Sequence, residues 1–127
     1  MAEPARRPTL LIVDDEVRIL TALRRSLRRE GWEILVADSP DKALALIEDH
    51  DIDVVLSDQK MRGMSGLELL EIVKERSPHT RLLLITGWTG EVPEAVVSRL
   101  RLLAVIQKPW DDEELKGILR RAMGTSA

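Results

Sequence analysis

The stretch "VVLSDQKMRGMSG", residues 54–66, runs an apolar segment of the kind that fills a sheet interior straight into Ser57, Asp58 and a loop. A carboxylate at the end of a buried strand is costly unless something pairs with it, so its partners are to be sought elsewhere in the chain. The segment is one of five runs rich in Leu, Ile and Val: TLLIV (9–13), WEILVA (32–37), DVVLS (53–57), RLLLIT (81–86) and LAVIQ (103–107). All five are continuously apolar rather than alternating, as in strands covered on both faces of a parallel sheet.

The intervening segments carry helical periodicity. Ile19, Leu20, Leu23 and Leu27 share about a third of the wheel at roughly 100° per residue, with Arg18, Arg24, Arg25, Arg28 and Arg29 outside that stripe. Leu115, Ile118, Leu119 and Ala122 repeat the pattern in the last segment. Helix starts are marked by Ser39 before Pro40, by Ser65 with Glu68, and by Asp111 with Glu114. Between Trp88 and Leu100 a helix is expected to start late, after Gly90 and Pro93. Alternating strands and helices predict an α/β fold with right-handed crossovers. One domain is expected over 9–122, with flexible tails at 1–8 and 123–127.

Composition narrows the functions open to such a domain. A chain of 127 residues, 44% hydrophobic, has one core and no room for a second folded domain. A net charge of -3 with both signs interspersed gives no electrostatic footprint for nucleic acid, apart from the short run Arg24 to Arg29. Without cysteine there are neither disulfides nor thiolate metal sites, in keeping with a reducing cytoplasm. The apolar stretch Leu10 to Val13 is too short to be a signal peptide or to insert in a membrane.

Ligands of open α/β sheets bind beyond the carboxyl ends of the strands, where the strand order switches. The first strand ends in Asp14 and Asp15, the third in Asp58, the fourth in Thr86 and the fifth in Lys108. Under the strand order 2-1-3-4-5 these four strands are neighbours about 4.8 Å apart, and all five residues line one crevice. Three close carboxylates repel one another, and a hard divalent cation with oxygen ligands, such as magnesium, relieves them. A cation, an ammonium and a hydroxyl around a carboxylate are what a phosphoryl group needs at its oxygens. Carboxylates can also attack phosphorus to form an acyl phosphate. The constellation points to phosphoryl transfer onto an aspartate.

The motifs "LLIVDDE", "VVLSDQKMRGMSG", "LLLITG" and "VIQKPW", in this order, resemble the receiver domain of two-component response regulators, over roughly residues 9–122. The resemblance implies a doubly wound, five-stranded parallel sheet of flavodoxin-like order 2-1-3-4-5, with helices on both faces. It implies that Asp58 accepts a phosphoryl group from a sensor histidine kinase or phosphotransfer protein. Asp15 and Asp14 would bind Mg2+ together with Asp58 and the backbone carbonyl of Lys60. Thr86 would bond a phosphoryl oxygen, Lys108 would pair with Asp58 or its phosphate, and the Lys108–Pro109 bond would be cis. The result would be a cytoplasmic switch that catalyses only its own phosphorylation and dephosphorylation. It would act on an output domain or partner protein, and could pair with a second copy through the fourth helix, fifth strand and fifth helix.

Four departures from the usual pattern matter, the last of them at two positions. Arg62 stands where proline is usual, which predicts a looser, more cationic loop. Val105 replaces the usual Tyr or Phe, and the chain contains neither residue. Arg101 replaces a common glycine. Lys60 and Trp88 occupy positions that bear on phosphate lifetime. Plainer readings also stand beside the functional ones: Asp14 and Asp15 as a helix cap, Thr86 as an ordinary strand residue, Lys108 as a surface lysine, the first-helix arginines as a solvated face. Two other functions remain open for the same residues. One is a degenerate, phosphate-independent binding module. The other is a magnesium-dependent aspartyl-phosphate phosphohydrolase of haloacid-dehalogenase type, built on Asp14 and Glu16.

Overall fold

The computed structural model describes residues 7–124. Five strands, β1 (Thr9–Val13), β2 (Glu33–Ala37), β3 (Val54–Asp58), β4 (Arg81–Thr86) and β5 (Ala104–Gln107), alternate with five helices. These are α1 (Val17–Leu27), α2 (Pro40–Asp49), α3 (Gly66–Arg76), α4 (Glu94–Leu100) and α5 (Asp112–Ala122). The strands form one parallel sheet in the order β2-β1-β3-β4-β5, as expected. The expected tails fall largely on residues 1–6 and 125–127, outside the described residues; Met123 is buried against α5 and the sheet.

Side-chain alternation along the buried strands builds two apolar layers. Leu10 and Ile12 join Leu20, Leu23 and Leu27 of α1 and Leu115 and Leu119 of α5 on one face. Leu11 and Val13 face the other way, into Ala43 and Ile47 of α2, Leu69, Leu70 and Val73 of α3 and Leu100 of α4. Helices on both faces are why the strands read as unbroken apolar runs.

The helix starts follow the sequence signals. Ser39 accepts a hydrogen bond from the Lys42 amide ahead of Pro40, Asp111 accepts one from the Glu114 amide, and Ser65 and Glu68 form a reciprocal capping box. After Thr86 the chain makes a 3-10 turn at Thr89–Glu91, and α4 begins only after Pro93. The arginines of α1 are exposed, as expected of a solvated face, and Arg24 also donates from Nη2 to the Ile34 carbonyl on edge strand β2, at 3.0 Å. Of the apolar approach to β5, Leu100 and Leu102 are buried while Leu103 is exposed.

α4 ends at Arg101, whose φ of 55° lies in the left-handed region. Its amide bonds back to Ser98 and the next amide, of Leu102, to Val97, so the turn needs this backbone conformation although the residue has a Cβ. Arg101→Gly relieves that strain at some cost in unfolded-chain entropy. It is expected to raise stability in a denaturant titration by about 0.5–1 kcal/mol, with an unchanged m-value.

Candidate functional site

The switch in strand order lies between β1 and β3, and the carboxyl ends of these strands bring Asp14, Asp15 and Asp58 together. One carboxylate oxygen from each lies within 4.8 Å of the others. Asp14 and Asp58 are buried, and Asp15 is partly so. Asp58 finds the partner its position demands in Lys108, the residue after β5, whose Nζ lies 2.8 Å from Asp58 Oδ1 and 3.7 Å from Asp14 Oδ2. The Lys108–Pro109 peptide bond is cis. Ser57 is fully buried and donates its hydroxyl to the carbonyl of Asp58 at 2.9 Å, so the polar end of the strand leaves no unmet side-chain donor.

The loop between β3 and α3 tightens this arrangement. The Gln59 amide bonds to Ile85 of β4 at 2.8 Å and the Gly66 amide to the Gln59 carbonyl at 2.9 Å, which folds α3 back under Asp58. At Gly66 a Cβ would run into the Asp58 carbonyl and come within 2.9 Å of Leu84 Cδ1, so the close approach requires glycine. The β3–α3 loop is not slack where proline is replaced. The Arg62 amide, which a proline would lack, donates to Asp15 Oδ2 at 3.1 Å, and Arg62 Nε lies 3.7 Å from the same oxygen. Lys60 stands exposed in this loop, two residues past Asp58.

Asp14 has two tasks, since its Oδ1 also accepts the Glu16 amide at 2.9 Å at the entry to α1. This is a local turn bond two residues on and not a helix cap, since α1 has Glu16 at its N-cap and no side-chain cap bond; the other oxygen faces Lys108. Burial lifts the Asp14 carboxyl above the usual carboxylate range; the Glu16 amide and Lys108 pull it down, and the charges of Asp58 and Asp15 push it further up. For Lys108, burial works against the charge. The hydrogen bond and charge of Asp58, with Asp14 and Glu16 beyond, outweigh it and hold the ammonium above its ordinary value.

Thr86 is also buried, but it turns to its own loop: its hydroxyl donates to Glu91 Oε1 at 2.6 Å and accepts from the Trp88 amide at 3.3 Å. Gln107 joins in, accepting the Thr89 amide at 3.1 Å and donating to the Gly87 carbonyl at 2.7 Å. Glu91 is marked by no periodicity or motif in the sequence, and Gln107, though it lies in LAVIQ and VIQKPW, is not singled out by them. A surface groove of about 750 Å³ between α1 and β2 holds none of these residues.

With sheet order and acidic cluster established, comparison with known proteins places the class. The sequence profile of the response regulator receiver domain matches residues 10–120. The chain belongs to that family, the receiver domains of two-component systems. It is 38% identical to the hydrogenase transcriptional regulatory protein HoxA of Cupriavidus necator over 119 residues, 93% of this chain and 24% of that protein. The chain therefore spans about a quarter of the length of such a relative. The signal receiver domain of an HD domain-containing protein from Pseudomonas fluorescens Pf-5 superposes with a TM-score of 0.87 at 31% identity, over 97% of this chain and 91% of that one. The response regulator TrrA of Thermotoga maritima, solved in complex with Mg2+-BeF, superposes with a TM-score of 0.81 at 26% identity, over 91% and 98% of the two chains.

The charge arrangement has a measurable consequence. A carboxyl whose folded pKa is raised stabilises the fold in its protonated form. This contribution from Asp14 is full below the ordinary value, 3.8, and lost as the pH rises through the folded value. Asp14→Asn keeps the acceptor for the Glu16 amide and removes the charge. In metal-free buffer at neutral pH it is expected to raise stability by on the order of 1 kcal/mol, as when an ill-compensated buried charge is removed. The gain should shrink as thermal melts are repeated toward pH 3.8.

Proposed function

We propose that this receiver domain is a phosphoacceptor switch in which Asp58 takes a phosphoryl group from a sensor histidine kinase or phosphotransfer protein. The observation that carries the reading is the Asp58 carboxylate, buried yet at the crevice mouth, paired at 2.8 Å with Lys108 and joined by Asp14 and Asp15. An Asp58 oxygen forms the bond to phosphorus as the bond from phosphorus to the donor nitrogen breaks, and that nitrogen leaves with the electron pair. Lys108 stays beside the new acyl phosphate as a counter-charge, and Thr86 offers a hydroxyl once free of Glu91. Water later attacks the phosphorus and returns Asp58 and inorganic phosphate.

The donor set fits magnesium. Three carboxylates that repel one another within 4.8 Å, all oxygen and with no nitrogen or sulfur ligand among them, suit a hard cation. Asp14, Asp15 and Asp58 would hold it with the backbone carbonyl of Lys60. Such an ion supplies positive charge against the phosphoryl oxygens.

Phosphorylation shifts a two-state equilibrium and changes which partner binds. The domain turns over no external metabolite and works in the cytoplasm; among the described residues no helix is long and apolar enough to cross a membrane. By likeness to HoxA, whose name makes it a transcriptional regulator, the signal passes to an output domain or partner protein; the net charge of -3, with both signs interspersed, argues against direct contact of this domain with nucleic acid. The surface of α4, β5 and α5, where Leu103 is exposed, is the candidate for pairing with a second copy.

Intact mass after incubation with acetyl phosphate, with and without Mg2+, tests the reading. The wild type is expected to gain one phosphoryl mass, dependent on Mg2+ and decaying with time, and Asp58→Asn to gain none. A folded wild type without an adduct would support the phosphate-independent binding module instead. Persistent hydrolysis of small phosphate esters would support the phosphohydrolase.

In the wild type without phosphoryl donor, Mg2+ should raise the thermal midpoint, because it binds the folded cluster and not the unfolded chain. Asp15→Asn should remove most of that rise, as read by melts across a Mg2+ titration.

A further inference from the structure

Thr86 is committed to a partner that a phosphoryl group on Asp58 would have to displace. A hydroxyl has one proton to donate; Glu91 Oε1 at 2.6 Å and the Trp88 carbonyl at 3.4 Å both lie in reach of that of Thr86, and the shorter bond, to a carboxylate, takes it. A phosphoryl oxygen bears no proton at this position and would need the same one. Glu91 and the phosphoryl group therefore compete for a single hydrogen bond.

Glu91 is well placed to hold it. It closes the 3-10 turn Thr89–Glu91, in which its amide bonds to the Trp88 carbonyl at 3.2 Å and the Val92 amide to the Thr89 carbonyl at 3.1 Å. Val92 is buried, which roots the turn in the core. Gln107, the last residue of β5, clamps the other side through the Thr89 amide and the Gly87 carbonyl. The Trp88 indole lies over Gly90, where a Cβ would come within 2.7 Å of Nε1. Trp88 is 66% exposed, and its amide donates to the hydroxyl in question. Meanwhile Val105 sits half-buried among the apolar residues that line the α2–α4 face, with no polar atom to offer Thr86.

We propose that Glu91 is a positioning residue that withholds the Thr86 hydroxyl from Asp58 in the unphosphorylated state, with Gln107 clamping the turn that carries it. Phosphorylation draws Thr86 away, frees the Glu91 carboxylate and changes the surface around Trp88, so the signal leaves by the β4–α4 turn. The proposal rests on the phosphoacceptor reading of Asp58 and adds residues outside the acidic cluster.

The test compares the wild type, Glu91→Ala and Glu91→Gln, and the same Glu91 changes combined with Thr86→Ala. Acetyl phosphate and Mg2+ are the reagents and intact mass the readout; the donor's phosphorus–oxygen bond breaks, acetate leaves, and the Asp58–phosphorus bond forms. Glu91→Ala is expected to speed adduct formation about fivefold, the net worth of one hydrogen bond. Glu91→Gln keeps an acceptor oxygen and should stay near the wild-type rate. In the Thr86→Ala background the Glu91→Ala change should have no effect, because the bond it breaks is already gone. Equal rates for wild type and Glu91→Ala, or the same acceleration without Thr86, would overturn the proposal.

A donor-free arm separates this proposal from the functional reading. The Trp88 amide resonance should move on Glu91→Ala and not move when Thr86 is already alanine. An adduct-free wild type that shows this pattern overturns phosphoacceptance and with it the role in switching, whereas a phosphorylated wild type with an unmoved resonance overturns the Glu91 clasp alone.

Discussion

Three carboxyl groups with oxygens within 4.8 Å of one another would push apart any loosely built loop, and here they are held because Lys108 reaches Asp58 at 2.8 Å and Asp14 at 3.7 Å. Lys108 against three carboxylates, with Arg62 reaching only Asp15 from an exposed position, leaves the crevice short of positive charge; burial and the neighbouring carboxylates lift Asp14, while Lys108 is held more firmly protonated. The same imbalance makes the site ready for a cation and for the charge redistribution that accompanies phosphoryl transfer. The stability that the cluster forgoes in the free protein is the source of its response to ligands.

Everything else in the fold serves to keep that imbalance in register. Parallel pairing of β1 with β3 and β3 with β4 fixes Asp14 and Asp58 at the same end of the sheet. A connection from β4 through α4 returns β5 to the edge, so that Lys108 emerges beside Thr86, to whose carbonyl its amide donates at 2.8 Å. Helices on both faces bury the strands, and at their carboxyl ends charged groups converge under partial cover. The tight contact of Gly66 with the Asp58 carbonyl shows how little slack lies beneath the acceptor.

The strands and the polar residues that end them, Asp14, Asp15, Asp58 and Lys108, were legible in the sequence because each follows from burial, while the strand order came from the family resemblance. A run of apolar residues that stops at a charge marks both a strand and its end. The caps at Ser39, Ser65 and Asp111 were equally readable, since capping is a local contact over three residues. What remained hidden depends on contacts made across irregular backbone. Glu91 and Gln107 lie 16 residues apart and meet on the same turn from opposite sides. The Arg62 amide finds Asp15 across 47 residues, so the missing proline yields a tether where a looser loop was expected. Arg24, exposed as its place on the wheel suggests, also bonds to the Ile34 carbonyl on the sheet edge, a contact the wheel does not show.

The replacement of an aromatic by Val105 changes the physics of coupling and need not abolish it. A large ring that swings between two packed positions couples by volume, and interfaces packed in that way are bistable. A hydroxyl passed between Glu91 and a phosphoryl oxygen couples by proton donation, and only one acceptor can hold it at a time. Such an exchange is bistable too, because the donor is single, but water can stand in for the released partner and lower its cost. The bias that each state imposes is therefore small, and the population shift on phosphorylation must be correspondingly limited unless the turn moves as a unit. Gln107 meets that condition: by holding Gly87 and Thr89 together it ties the Glu91 turn to β5, so that the loss of one hydrogen bond at Thr86 is felt by the whole segment around Trp88.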